Sequence, residues 1–293
     1  MQDRNYVFAY FTGETEQGEQ IYFAVSEDGL HWEDLNGGRP VLTNPIGKMG
    51  VRDPFLFQSV IDRQYYILGT DLRIAGGCGW DMARNAGSTQ IVVWTSGDLI
   101  QWSAPWSYSV GIEGAGCAWA PEAVYDRRRE AYLVFWASCV NGKQIIYCSY
   151  TRDFRHFTES RKYMEFPYDV IDTTIVEVDG KYYRFYKDET EKYIRMDWGT
   201  DLQGRFEEIP SETLKKLTGV EGAVVYPLKG SRDWCLLVDR FAQGSGYLPL
   251  RCGNLASGEF SVISEMEYDM GKMRKRHGSV MLLDYREWRS LKV

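Results

Sequence analysis

Five apolar segments in this chain each open on a polar residue that a buried strand does not normally carry, and they recur at a nearly regular interval. They are VRDPFLF at Asp53, WAPEAVY at Glu122, VIDTTIVEV at Asp172, GVEGAVVYPL at Glu221 and RHGSVMLL at His277. Heads spaced roughly 50 to 70 residues apart read as repeated units of sheet, none able to bury its apolar face alone. Each head leads into a β-branched and aromatic run, then a turn, then a second strand of the YYILGTDL or YYRFYKDE kind. If the units stand radially, the five heads meet on one axis.

A second repeat runs in phase with the first. SEDGLHWEDL, TSGDLIQWS, TRDFRHFTE, GTDLQGRFEEI and GNLASGEFSVI each follow an apolar strand and join a turn to an aromatic residue. They read as connections into an outer strand, with Trp32, Trp102, Phe157, Phe206 and Phe260 packed between neighbouring sheets. In the Asp172 unit, IDTTIVEV, KYYRFYK, YIRMDWG and RFEEI supply four strands; in the Glu122 unit EAVYD, AYLVFWAS, QIIYCSYT and FRHFTES do the same. The N-terminal unit has only YVFAYFT, QIYFAVS and HWEDL, and HGSVMLL from the other end can supply its missing inner strand. Pairing the two chain ends closes a ring and removes an exposed edge. The expectation is an all-β, five-bladed β-propeller spanning residues 1–293 as one domain, with a sandwich or larger barrel as the alternative. SETLKKLTG, from Ser211 to Gly219, is the one helical candidate.

Composition narrows the partners. The formal net charge of -7 is spread without an acidic or basic block, which argues against nucleic acid and anionic membranes. No run approaches the ~18 apolar residues of a spanning helix, and MQDRNYVFAYF lacks the pattern of a signal peptide. None of the six cysteines forms a CxxC or a zinc-ligand spacing with a histidine, so no metal-thiolate site is expected. Cys139, Cys148 and Cys235 lie in apolar strands and read as reduced core thiols of a cytoplasmic protein, although a chain that had lost an export signal would read the same.

First residues of innermost strands sit at the mouth of a propeller's channel, so Asp53, Asp172 and Glu221 should face one solvent-filled funnel. A single acid there is usually a turn or capping residue. Three acids in one confined space raise one another's pKa, and such crowding needs a use. Glycosidic hydrolysis needs two carboxyl groups at a suitable separation, one to activate water and one to protonate the leaving oxygen.

These residues resemble glycoside hydrolase family 43, whose members are five-bladed propellers cleaving arabinofuranosides and β-xylosides. The similarity runs over nearly the whole chain, through Asp53 in RDPFLF, Trp119-Ala120-Pro121, Asp172 in IDTTIVEV, Glu221 in VEGAVVY and His277 in RHGSV. It implies that Asp53 is the general base, that Glu221 is the general acid kept protonated near neutral pH, and that Asp172 orients Glu221 and holds its pKa up. It also implies inversion, with the Asp53 and Glu221 carboxyls roughly 6.5 to 9.5 Å apart. The family's acid usually sits in Glu-Gly-Pro, whereas Ala223 follows Glu221-Gly222 here. The related invertase-type propellers carry an Asp-Pro-Asn segment and a Glu-Cys acid, and neither occurs.

Around the acids, Trp119 and Trp80 are candidates to stack on sugar faces, Trp80 from the Gly-rich insertion Ile74 to Ser88. Trp136 is assigned to the core. Glu122 is read as lining the pocket and His277 as an axial residue. Asp71, Lys187 and Arg240 follow second strands at similar offsets and could bind sugar hydroxyls or support the acids. No cofactor is required; the resemblance leaves open a structural calcium ion near the axis, though no acidic loop supplies its ligands. The expected activity is that of an inverting exo-glycosidase, an α-L-arabinofuranosidase acting on small arabinose-containing oligosaccharides. A β-xylosidase or galactofuranosidase on the same scaffold is the alternative. A phosphorylase would instead use Arg274, Lys275 and Arg276 to hold phosphate, and a non-catalytic sugar-binding propeller would have no need of three acids. Oligomeric state is not legible.

Overall fold

The computed structural model describes residues 4–292. Its strands form five four-stranded antiparallel sheets. Blade 1 runs outward from Arg276–Leu283 through Asn5–Phe11 and Tyr22–Ser26 to Glu33–Asp34. The C-terminal inner strand therefore completes the N-terminal blade, with Val7 opposite Met281 and Ala9 opposite Ser279. Blades 2 to 5 follow in chain order, with inner strands Arg52–Gln58, Trp119–Asp126, Val170–Val178 and Glu221–Pro227. The ring closure and the blade count are as the sequence predicts.

Packing closes the ring. Each of the five apolar clusters lies between two neighbouring blades, with blades 1 and 2 joined through Val7, Phe23, Ile67 and Trp94, and blades 5 and 1 through Phe8, Tyr226 and Leu237. One aromatic from the turn repeat enters each seam: Trp102, Phe157, Phe206, Phe260 and Trp32. The regular repeat thus reflects one wedge per interface. Trp136 is buried in the seam between blades 2 and 3, as assigned.

One outer strand lies further along the chain than expected: in blade 3 it is Arg161–Met164, and not FRHFTES, while in blade 2 the connection TSGDLIQWS leads into Trp106–Ser109. Asp98 and Asp153 accept backbone N–H bonds from residues two and three positions ahead, folding those segments into tight turns. Trp102 and Phe157 then make only isolated bridges before pairing resumes.

The predicted helix is present as Glu212–Lys216, with Ser211 accepting from Leu214 N. Two more were missed. Gly79–Asn85 is helical within the insertion, and Tyr285–Leu291 follows a capping box made by Asp284 and Glu287. All six cysteines are free, and only Cys78 is exposed. Among the described residues no helix is long and apolar enough to cross a membrane.

Candidate active site

Every inner strand carries a β-bulge near its start. Arg52 pairs with Thr70 and Phe55 with Leu68, leaving Asp53 and Pro54 opposite a single residue. The same irregularity isolates Ala120-Pro121, Asp172-Thr173, Gly222-Ala223 and His277-Gly278. The leading bulge residue has a positive φ in four blades: Asp53 at 51°, Ala120 at 47°, Asp172 at 53° and Gly222 at 56°. Bulges re-aim side chains and gather at active sites, and left-handed backbone costs free energy that the surrounding fold must supply. The equivalent heads are therefore Asp53, Ala120, Asp172, Gly222 and His277.

This register corrects the placement of two acids. Glu221 stands one residue before its bulge, level with Arg52, Trp119, Ile171 and Arg276 on the rim. Glu122 stands two residues past the head, further into the channel. There it is buried and lines the axial cavity of about 520 Å³ below the heads. Burial pushes its carboxyl well above the usual range, with Thr174 opposing as a hydrogen-bond partner.

His277 joins the two aspartate heads. Its Nδ1 lies 3.4 Å from Asp53 Oδ1 and 3.7 Å from Asp172 Oδ2. Gly222 abuts its ring: a Cβ there would lie 2.7 Å from His277 Cγ, and the positive φ already disfavours a side chain. Tyr247 holds both backbones, its hydroxyl donating to Gly222 O at 2.8 Å and accepting from Gly278 N at 3.1 Å. With Ala223 in place of the family's proline, the bulge is still formed.

Asp53 and Glu221 are each held from a second strand. Thr70 donates to Asp53 Oδ2 at 2.7 Å and accepts from Ala120 N at 2.8 Å. Lys187, at the register position of Thr70 one blade before Glu221, approaches Glu221 Oε2 to 2.8 Å. Arg276 Nη2 lies 3.1 Å from Glu221 Oε1, and its Nε donates to Asp239 Oδ2 at 2.6 Å. Asp239 occupies the same register position in blade 5. Glu14 then links Arg276 to Arg52, at 3.6 and 3.0 Å, and buried Glu19 holds Arg52 at 2.9 Å. An alternating chain of carboxylates and cations borders the mouth.

The electrostatics at the two acids run in opposite directions. Burial alone would raise Glu221, but Lys187 and then Arg276 overcome it and hold its carboxyl down at about 2. Asp172 moves the other way: burial pushes it up to about 7, opposed by His277 and reinforced by the negative charge of Glu221. In this structure the flanking cations therefore favour the ionised form of Glu221, while burial favours the protonated form of Asp172. Motif order could not reveal this, because both cations that set it come from other blades.

Other expected contacts divide. Lys187 supports an acid, as anticipated. Asp71 and Arg240 lie one residue beyond Thr70 and Asp239, and both are engaged in loops. Asp71 accepts from Lys48 N at 2.7 Å and from Ser88 Oγ at 2.6 Å. The Arg240 guanidinium donates to the carbonyls of Gly246, Ser245 and Tyr247. The basic run considered for phosphate is likewise spent: Arg274 on Thr12 O and Gly244 O, Lys275 on Asp34, Arg276 on Asp239 and Glu221. Trp119 and Trp80 meet edge to face on the rim, their ring centroids 6.2 Å apart. Among the described residues no group of three or more His, Cys, Asp or Glu side chains is arranged to hold a metal ion. Thr70, Glu14, Glu19 and Asp239 were not singled out from sequence. Thr70, Lys187 and Asp239 share one position at the end of the second strand, a signal that appears once the blades are aligned on their bulges.

A family model described as "Probable glycosyl hydrolase domain", related to glycoside hydrolase family 43, matches residues 2–289. An α-L-arabinofuranosidase of Bifidobacterium longum subsp. longum is 32% identical over 212 residues, 64% of this chain. The match spans only 20% of that longer protein. Among solved structures, a family 43 β-1,3-galactosidase superposes with a TM-score of 0.64 at 13% identity, over 92% of this chain and 58% of the other. An exo-β-1,3-galactanase from Phanerochaete chrysosporium, solved with β-1,3-galactotriose, superposes with a TM-score of 0.63 at 16% identity, over 90% and 65%. At such identities these two likenesses bear on the fold alone.

Proposed function

The chain belongs to the glycosyl hydrolase domain family related to glycoside hydrolase family 43, and from that membership we propose that it is an inverting exo-α-L-arabinofuranosidase. The carrying observation is the convergence of Asp53 and Asp172 on one imidazole, with Glu221 on the adjoining rim. The arabinofuranosidase relative supports the choice of sugar.

Asp53 is the base in this reading. Thr70 fixes its Oδ2, which orients the carboxylate, while Oδ1 points towards His277 and the mouth. It takes a proton from the water that attacks the anomeric carbon. The Asp172–Glu221 pair supplies the proton for the departing oxygen, and in the free protein burial of Asp172 and the cations around Glu221 bias that proton towards Asp172. Lys187 and Arg276 keep the cluster from accumulating negative charge as Asp53 works as a carboxylate. Water adds to the sugar, the glycosidic bond breaks, and the donated proton leaves on the released alcohol.

The test is to follow an arabinofuranoside by NMR and read the anomer released first. Inverted arabinose from the native chain, with turnover abolished by Asp53→Asn, supports the assignment. Retained configuration overturns the mechanism. Turnover of β-1,3-galactan or β-xyloside in preference to the arabinofuranoside overturns the substrate.

A further inference from the structure

Inner strands start at the mouth, so Asp126, the last residue of Trp119–Asp126, lies on the opposite face of the propeller. Two turns of blade 3 meet on that face, one joining Asp126 to Ala131 and the other leaving Lys143–Thr151 at its end. They are laced together. Asp126 Oδ1 accepts from Arg128 N at 3.0 Å, and its Oδ2 from the Tyr150 hydroxyl at 2.8 Å. Arg152 reaches back across the gap and donates to Glu130 O and Arg129 O, both at 3.0 Å. Between these turns and the outer strand Arg161–Met164 lies a cavity of about 640 Å³, with Arg129, Arg152 and Arg161 on its wall.

The chain has 41 acidic residues against 34 basic ones, acids enough to pair every arginine. Two neighbours of the pocket are paired, Arg127 with Glu177 at 3.4 Å and Arg128 with Asp201. The arginines on the wall are not. Among the described residues Arg152 forms no ion pair, and Arg161 donates to the Gln203 amide oxygen at 2.8 Å. Arg129 has only Asp126, at 3.8 Å, whose oxygens already accept from the turn and from Tyr150. Arg129 and Arg161 lie 4.7 and 5.7 Å from the Tyr150 ring centroid, which holds their charged ends in place. Of the wall's two acids, Asp153 is taken up by the backbone N–H groups of Arg155 and His156 and by His156 Nδ1 at 2.7 Å. Glu159 is exposed.

We infer that this pocket binds a carboxylate-bearing sugar, a uronate unit of an acidic glycan, on the face opposite to the reaction. A guanidinium meets a carboxylate through two parallel N–H bonds, a match that a neutral hydroxyl cannot make. Three arginines gathered at a concavity without their own carboxylates favour an anion. Because carbonyls and the Tyr150 ring fix them beforehand, little conformational entropy is lost when the anion docks. The volume is that of a small-molecule pocket. Phe157, held against Tyr108 with ring centroids 3.7 Å apart, adds an apolar wall that suits a sugar ring better than a bare inorganic anion. The choice of a sugar rests on the glycosidase reading, whereas the choice of an anion does not.

The test titrates digalacturonate, its uncharged dimethyl ester and inorganic phosphate into the native chain by calorimetry, and digalacturonate into Arg161→Gln and Arg129→Gln/Arg161→Gln. Digalacturonate is expected to bind about ten-fold or more tightly than either the ester or phosphate. Arg161→Gln should weaken it about ten-fold, about 1.4 kcal/mol, and the double variant should abolish it. Arg161→Lys keeps the charge and loses the planar fork. It should fall between the native chain and Arg161→Gln, and it keeps the test decisive if a Gln variant is unstable. Equal binding of the ester shows that the arginines do not select a carboxylate and overturns the site. Phosphate bound as tightly as digalacturonate overturns the sugar. Undiminished binding in the double variant, or no binding of digalacturonate to the native chain, overturns the pocket. A native chain that binds digalacturonate in this way and turns over no glycoside would defeat the glycosidase reading and leave the anion site standing.

Discussion

Lys187 Nζ lies 2.8 Å from Glu221 Oε2, so a cation on blade 4 sets the charge state of an acid on blade 5. With Arg276 on the other oxygen, Glu221 is clamped from both flanking blades. The clamp ties electrostatics to fold closure, since Arg276 belongs to the strand that joins the chain ends.

Lys187→Met tests the clamp. A carboxyl held below its ordinary value contributes stability above that value, and the contribution disappears as pH falls through the folded one. For Glu221 the window runs from the ordinary 4.5 down to about 2. Breaking a buried pair costs about 3–5 kcal/mol when the other charge stays behind. The variant should lose a stability of that order at pH 7 and progressively less towards pH 3, measured by urea unfolding. A loss of the same size at both pH values would show that the clamp does not set the titration of Glu221.

Asp172 has the opposite sign. Its folded carboxyl is raised to about 7, so its full contribution is present below the ordinary 3.8 and is lost as pH rises towards 7. Asp172→Asn removes that pH-dependent loss. Relative to the native chain, the variant should gain in Tm steadily between pH 4 and pH 7 and then level off. A Tm difference independent of pH across this range would place the proton elsewhere.

The division between base and proton donor is read from leaving groups. A dinitrophenyl leaving group needs no proton, whereas an alkyl or sugar leaving group does. Asp53→Asn should lose about 10³-fold or more on arabinofuranosides of both kinds. Asp172→Asn and Glu221→Gln should lose about 10²–10⁴-fold on the alkyl or sugar arabinofuranoside and much less on the activated one. For the native chain, kcat/KM on the unactivated substrate should fall above about pH 7, as Asp172 gives up its proton. Equal losses on both substrates in all three variants would dissolve the assignment.

Most of the propeller was legible because its determinants are local. The β-branched runs mark strands, the turn aromatics mark seams, and the short N-terminal unit next to the unpaired HGSVMLL marks the closure. The site was legible only in part. Asp53, Asp172 and His277 stand at equivalent bulges, but a one-residue shift in register separates Glu221 from them and two residues separate Glu122. A bulge leaves little trace in composition, so the heads looked alike in sequence. The charge states of Asp172 and Glu221 were beyond reach for another reason. They depend on Lys187, Arg276 and His277, which lie 15 to 105 positions away from them in sequence. The helix at Tyr285–Leu291 was legible in Asp284 and Glu287 and was overlooked; Gly79–Asn85 carries two glycines within or beside it and offers no comparable start signal.

Ser279 shows how closure reaches the base. Its hydroxyl accepts from Leu56 N at 2.7 Å and donates to Pro54 O at 2.9 Å, tying the C-terminal strand of blade 1 to the bulge that presents Asp53. Both partners are backbone groups, and both bonds are buried. In Ser279→Ala the Leu56 N–H loses its acceptor inside the ring, a cost of about 1–3 kcal/mol. The left-handed backbone at Asp53 also loses one of its supports, so the carboxylate is held less firmly over the attacking water. A looser base weakens the chemical step more than ground-state binding. Ser279→Ala should therefore lower kcat about ten-fold or more with KM within about two-fold, and Ser279→Thr, which keeps the hydroxyl, should recover most of the loss. A change confined to stability, with kcat intact at temperatures where the variant stays folded, would show that Asp53 holds its position without the chain ends being joined.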